Sequence, residues 1–445
     1  MSTTTPAGSV EIKAGEISAP SKSEAFTVSG FQRTSVLVIC FLLYMINFMD
    51  RQVLSAVLEP MRIDLRLTDT QAGGLQTLFF LSMAVLAIPA SYLVDRWSRR
   101  KTMSLIAIIW SGFTYVTGLG RSFVGVLLPR IAVGVGEAGY PSASTAMLTA
   151  VYPQEARSRV LGIFNAAVPM GTAAGALLGG YLSAHHGGWR TPFFVFAVPG
   201  IILGILAYFL KDYKSVAVTD ERGRKTGFWS SVALLFKIPT LRWLYIGYAM
   251  HNAMAFAYAA WGAAFIMRVQ NVSEAKAGMI MGVGALMGIL GAPVGGVIAD
   301  LWQKKNRKGR ILTPVLTSLG TAVLLFLALL FDVKGPGFLL VVLFGAVAVM
   351  GIPAVNSISQ DVVSPGLKGV SWGMCGFVMM VCGGAWSPSA TGAISDALGG
   401  GAWGLKAAMM ILCLLGLVAC FCFWRGSKHY PSDMEKVEGF KLEAE

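Results

Sequence analysis

Residues 91–101 read Ser91-Tyr92-Leu93-Val94-Asp95-Arg96-Trp97-Ser98-Arg99-Arg100-Lys101: an apolar helix end, an aspartate, then a cluster of bases. The same order returns 205 residues further on, as Gly296-Val297-Ile298-Ala299-Asp300 followed by Lys304, Lys305, Arg307, Lys308 and Arg310. Each copy closes the second long apolar run of its half of the chain. The repeating unit is therefore a half-chain, and the two halves run parallel.

Outward from these loops, runs long enough to cross a bilayer, about 20 residues each, occupy 34–57, 70–94, 102–119, 123–150, 158–183 and 190–210. Six more occupy 240–268, 275–299, 311–331, 338–360, 369–395 and 402–424. This pattern predicts an all-α membrane protein of twelve transmembrane helices in two pseudo-symmetric six-helix bundles, 31–210 and 239–425. A disordered tail (1–30), a linker (211–238) and a second tail (426–445) complete the chain. In the linker, Phe228, Trp229, Leu234, Leu235 and Phe236 stand beside Lys237, which fits a short interfacial helix or an extended loop equally.

Composition agrees. Of 445 residues, 55% are hydrophobic and only 13% charged, with a mean hydropathy of +0.64. A soluble domain carries about a quarter charged residues. Soluble enzymes, disordered chains and disulfide scaffolds are thereby excluded. The first 30 residues lack an apolar core, so no cleavable signal peptide is expected. The six cysteines all lie in apolar runs without a neighbouring His, as buried hydrophobes rather than metal ligands.

The net charge of +13 would suggest nucleic acid in a soluble chain, but basic loops of membrane proteins stay on the cytoplasmic side. With both termini placed in the cytoplasm, 26 Lys and Arg fall inside and 9 outside, Arg51 included. Arg130, the remaining one of the 36, is counted on neither side. Both termini are expected in the cytoplasm of a cell (inner) membrane, and no nucleic-acid partner is expected.

The resemblance to a known family is carried by three stretches besides the loops. They are Tyr44-Met45-Ile46-Asn47-Phe48-Met49-Asp50-Arg51, Arg130-Ile131-Ala132-Val133-Gly134-Val135-Gly136-Glu137-Ala138-Gly139-Tyr140-Pro141, and the run from Glu155 to Phe164 with Arg157, Ser158 and Arg159. The twelve-run pattern resembles the major facilitator superfamily, and the three stretches are similar to the spinster family. That resemblance implies alternating access driven by an ion gradient, commonly of protons, and a gating role for Asp95, Arg96, Arg99, Arg100 and Asp300. Eukaryotic spinster proteins are associated with lysophospholipid and sphingoid-phosphate transport; the short loops here look bacterial. Ser91 and Ser98 depart from glycines of the superfamily loop. Gly171, Gly175, Gly179 and Gly180 have the spacing of an antiporter motif but lack its proline, because Ala176 follows Gly175. They are expected to serve helix packing.

Ionisable groups inside a bilayer cost about 2.5–3.5 kcal/mol each on insertion scales, so Asp50, Arg51, Arg130 and Glu137 each need a reason. With a rise of about 1.5 Å per residue, Asp50 and Arg130 lie at similar depth. Glu137 lies two turns further in on the face of Arg130, near the midplane. Arginine does not release a proton, whereas a buried carboxylate does when its surroundings change. Glu137 and Asp50 are therefore the candidate proton carriers. Arg51 and Arg130 are their tuning partners or substrate anchors, with Asn47 and Tyr44 beside them. The bland alternative is ion pairs that only fix the first and fourth helices together.

The second half offers polar groups: His251, Asn252, Tyr258 and Trp261, then Asn356, Ser357, Ser359 and Gln360 with Asp361, and Trp372 and Trp386. Tyr258, Trp261, Asn356 and Gln360 are the candidate substrate contacts, suited to an apolar cavity with few anchors. His251 is expected to bridge helices. Gly134-x-Gly136-x-x-Gly139 mimics a dinucleotide fingerprint but sits inside a spanning run, so no cofactor is expected. The His185-His186 pair is read as solvated.

No soluble segment exceeds about 30 residues, which leaves no room for an extramembrane catalytic domain. The leading expectation is a monomeric, proton-coupled transporter of a lipid-like amphiphile, with a small organic anion as the alternative cargo. A non-transporting receptor of the same fold is the alternative of another class.

Overall fold

The computed structural model describes residues 29–96, 98–211, 228–364 and 367–438. Residues 1–28, most of the linker and residues 439–445 lie outside them. The first half comprises α1 (Gly30–Asp64), α2 (Asp69–Arg96), α3 (Arg99–Gly118), α4 (Phe123–Glu137), α5 (Tyr140–Val151), α6 (Gln154–His185) and α7 (Thr191–Tyr208). After α8 (Phe228–Lys237) come α9 (Pro239–Gln270), α10 (Glu274–Leu286), α11 (Gly288–Lys305), α12 (Gly309–Leu330), α13 (Pro336–Met350) and α14 (Ile352–Asp361). The last elements are α15 (Lys368–Met379), a π-helical turn (Met380–Gly384), α16 (Ser387–Ala397), α17 (Gly401–Gly426) and α18 (Tyr430–Glu438).

These elements make twelve spanning units, four of them broken: α4–α5, α10–α11, α13–α14 and α15–α16. The breaks follow the sequence. Pro141 and Pro353 sit in the first turns of α5 and α14, where a proline lacks the N–H that an unbroken helix needs. Among the described residues, nine units are apolar and long enough to cross a membrane by composition alone. The polar exceptions include α3, whose Ser104, Ser111, Thr114 and Thr117 are buried, and α9, which is buried along most of its length. Polar groups there face protein, not lipid, while Leu128, Leu290, Val297, Leu339 and Leu414 are exposed outward. That inside-out distribution suits a bilayer.

The halves repeat one packing scheme. The third span packs on the sixth (α3 on α7) as the ninth packs on the twelfth (α12 on α17). Likewise α2 packs on α4 as α11 packs on α13. Between halves, α1 meets α9, α2 meets α16, and α6 meets α10. The halves close at the end opposite the chain termini, here called distal, and part at the terminal end, where α6 barely touches α11.

Two boundaries differ from expectation. The first helix runs to Asp64 rather than residue 57, because polar Arg62 and Asp64 form ion pairs there instead of ending the helix. Of the two readings left open for the linker, its end is the helix, with Leu235 buried and Phe236 edge-on to Tyr245 at 5.8 Å. The second tail is partly folded: Tyr430 is fully buried and donates to Asp361 (2.7 Å), and Asp433 accepts from the Thr240 N–H (3.1 Å) and hydroxyl (2.8 Å).

Candidate functional site: paired charges beside an apolar cavity

The paired charges sit where α1, α3 and α4 meet. Glycine lets α4 approach its neighbours: a Cβ on Gly134 would fall 2.6 Å from the Phe79 carbonyl oxygen of α2, and one on Gly136 would touch Trp110 of α3. Arg130 is fully buried and donates to Asp50 Oδ1 (3.2 Å) and to the Asp50 carbonyl (3.3 Å). Its guanidinium lies 4.9 Å from the centre of the Phe79 ring and 5.9 Å from that of Phe193. Thr114 donates to Asp50 Oδ2 at 2.6 Å. Both oxygens of Asp50 are thus engaged.

Glu137 is different. Arg51 Nε donates to its Oε2 at 2.7 Å, while Oε1 is buried with no partner among the described residues. Arg51 keeps 15% of its side chain exposed, against 0% for Glu137. Arg51, one of the two candidate tuning partners, lies inside α1 and reaches Glu137 across to α4. Asn47 is buried one turn before Arg51, with neither amide atom partnered among the described residues. Tyr44 is buried and stacks on Phe164 at 4.4 Å.

A cavity of about 760 Å³ lies between the halves. Its walls are α6 (Gly162 to Thr172), α10 and α11 (Met281 to Pro293) and α13 (Val341 to Val349), with Ala255, Tyr258 and Ala259 from α9. The lining is apolar except for Gln52, Asn165, Thr172 and Tyr258, and none of it is charged. The Tyr258 hydroxyl is buried without a partner among the described residues. The cavity occupies the seam where α6 leaves α11.

The other expected contacts are elsewhere. Trp261 is fully buried, and its indole N–H donates to the Pro388 carbonyl (2.9 Å), away from the cavity lining. Gln360 donates to Asn356 Oδ1 (2.5 Å), and neither lines the cavity. These amides satisfy each other along one helix face instead of facing a ligand. His251 bridges helices, with Nε2 2.8 Å from the Ala348 carbonyl and Nδ1 3.1 Å from Ser318 Oγ. Sequence reasoning missed Gln52, Asn165 and Thr172; only their place among small apolar neighbours marks them.

Of the loop residues, Arg100 donates to the Leu210 carbonyl (3.3 Å). The side chains of Asp95, Arg96 and Arg99 lie outside the described residues. Asp300 accepts from Arg310 (2.8 Å), which also reaches Asp361 (2.9 Å). Gly171 and Gly175 meet the Met45 and Met49 carbonyls of α1, and Gly179 meets Ala56. Gly180 turns to the other half, against Glu274 and Gly278.

The family profile of the Major Facilitator Superfamily matches residues 40–388. The chain belongs to the Major Facilitator Superfamily. It is a multi-pass membrane transporter of the spinster type, not an enzyme. It is 27% identical over 390 residues to protein spinster of Drosophila melanogaster, covering 84% of this chain and 64% of that protein. It is 26% identical over 375 residues to a sphingosine-1-phosphate transporter of Danio rerio (79% and 74% covered). It is also 25% identical over 395 residues to a hexuronate transporter of Bacillus subtilis (86% and 93% covered). Its fold matches the structure of a bacterial homologue of the human lysosomal transporter spinster, inward-facing and unoccupied. That match has a TM-score of 0.81 at 23% identity and covers 91% of this chain and 99% of the other.

Proposed function

We propose that this transporter carries a lipid-like amphiphile of lysophospholipid or sphingoid type, coupled to protons, by alternating access. The observation that carries this reading is the cavity: apolar walls, four uncharged polar groups, and a position at the seam between α6 and α11. Such a lining favours an acyl chain, at about 0.8 kcal/mol per buried CH2. The name of the Danio rerio relative supports a lipid cargo. The hexuronate relative supports the organic-anion alternative. Against it, the two arginines that would anchor a carboxylate already hold Asp50 and Glu137.

Glu137 takes the proton. Neutralising it releases Arg51, the more exposed member of the pair, while Asp50, Arg130 and Thr114 fix the height of α1 against α4. The terminal end faces the cytoplasm of a bacterial membrane, a reading supported by the basic loops, and the protein works as a monomer.

The test is a binding series with lysophospholipids of increasing chain length, read on the purified protein. Affinity should rise with each added pair of methylenes and fall several-fold in Tyr258→Phe, which loses only the unpartnered hydroxyl. Length-independent binding, with hexuronate competing, would favour the anion.

A further inference from the structure

The distal end is held shut by more than ion pairs. An α-helix begins with backbone N–H groups that have no intrahelical acceptor. At the start of α2, Thr68-Asp69-Thr70-Gln71 forms a capping box: the Gln71 N–H donates to Thr68 Oγ1 (3.2 Å) and the Thr68 N–H to Gln71 Oε1 (3.1 Å). That box leaves the next two N–H groups, of Asp69 and Thr70, unserved by their own half. They donate instead to Asp396 at the end of α16, the Asp69 N–H to Oδ1 (3.1 Å) and the Thr70 N–H to Oδ2 (2.8 Å). The Thr70 hydroxyl adds a third bond to Oδ2 at 2.7 Å.

Around this cap the two halves interlock. Ser395 donates to Asp69 Oδ2 (2.6 Å), and Arg268 of α9 donates to both Asp69 oxygens (2.7 and 3.0 Å) and to Glu59 Oε2 (3.1 Å). Arg62 holds the other Glu59 oxygen at 2.8 Å. Gly392 and Gly73 permit the approach, because a Cβ at either would fall within 2.2 Å of a carbonyl oxygen across the interface.

We propose that Asp396 is the latch of the distal gate: a helix cap for α2 supplied by the opposite half, which must be given up whenever the distal side opens. A carboxylate beside a helix amino terminus is favoured by both the free N–H groups and the helix dipole. Opening therefore exposes two backbone donors and a carboxylate to water in addition to breaking the Arg268 bridge. The closed form is favoured without cargo, and Asp396, outside the cavity, adds to its population beside the Arg268 bridge. This rests on the alternating-access reading above but not on the identity of the cargo.

The test places nitroxide labels at Arg121 and Lys334, exposed distal-loop residues of the two halves, in a cysteine-free form of the full chain. The distance between them is read by pulsed electron resonance in nanodiscs without cargo. Asp396→Ala should raise the longer-distance population about two- to thirtyfold, the effect of losing an ordinary cap. Asp396→Asn, which keeps a capping oxygen but no charge, should give a smaller rise, and it remains readable where the alanine variant does not fold. Asp64→Ala is the control, since Asp64 bonds Trp189 and Arg190 of its own half. Unchanged distances in both Asp396 variants while Arg268→Gln opens the gate would overturn the latch, as would an equal rise in Asp64→Ala. Failed lipid uptake would refute the cargo and leave this result standing.

Discussion

At the scale of single residues, the two arginine–carboxylate pairs, Arg130–Asp50 at 3.2 Å and Arg51–Glu137 at 2.7 Å, have different consequences. Asp50 and Arg130 are both out of contact with solvent. Removing one partner strands a buried charge, which costs about 3–5 kcal/mol. Asp50→Ala should therefore lower the thermal midpoint of the purified protein by many degrees or abolish its expression. Glu137→Gln should leave the midpoint within a few degrees, because Arg51 retains access to solvent and the amide oxygen still accepts from it. A large loss of stability in Glu137→Gln would mean that this pair, too, is scaffolding. The Asp50–Arg130 contact was legible in the sequence, since both lie within spanning runs at matching depth. The Arg51–Glu137 contact was legible only in part: Arg51 was one of two candidate partners for the carboxylates, and which of them it meets is decided by how α1 packs on α4, which the chain alone does not state.

At the scale of elements, glycine positions separate packing from mere permissiveness. A Cβ at Gly175 would lie 2.5 Å from the Met49 carbonyl oxygen, so α1 and α6 would have to part, whereas one at Gly162 would meet nothing within 4 Å. Gly175→Ala should cost about 1–3 kcal/mol by overpacking. Gly162→Ala should gain up to about 1 kcal/mol from helix propensity. Thermal melts of the two variants in one detergent check both signs. The sequence spacing identified the Gly171–Gly180 stripe, but not that Gly180 faces the second half, because a helix face does not name its neighbour.

The terminal helix α18 offers a pH test. Burial opposes charge on Asp433, but Lys436 and the Thr240 hydroxyl and N–H outweigh it, holding the carboxyl below its ordinary range. A depressed carboxylate contributes stability that is present above the unfolded value and lost as pH falls through the folded one. Docking of α18 should therefore be indifferent to pH between 6 and 8, on the order of two units above ordinary carboxylate values, and weaken only in strong acid. Hydrogen exchange at 430–438 measures this. Loss of protection already at pH 6 would contradict it.

At the scale of the whole molecule, the six–linker–six pattern and the repeated Asp-plus-basic loops carried the architecture, since composition and run length are properties of the chain alone. Which end closes was not readable. It depends on contacts between helices far apart in sequence, such as Thr70 with Asp396 and Gly180 with Glu274. Most of the cavity lining was equally hidden: Tyr258 was expected there, but the walls are largely small apolar residues drawn from five different spans.

The most direct test of proton-coupled lipid transport is uptake of a labelled lysophospholipid into proteoliposomes, with and without an imposed pH gradient, for the native protein and Glu137→Gln. Gradient-dependent accumulation by the native protein, reduced at least tenfold in Glu137→Gln (a barrier change of about 1.4 kcal/mol), is the expected result. Undiminished, gradient-dependent accumulation by Glu137→Gln would contradict it.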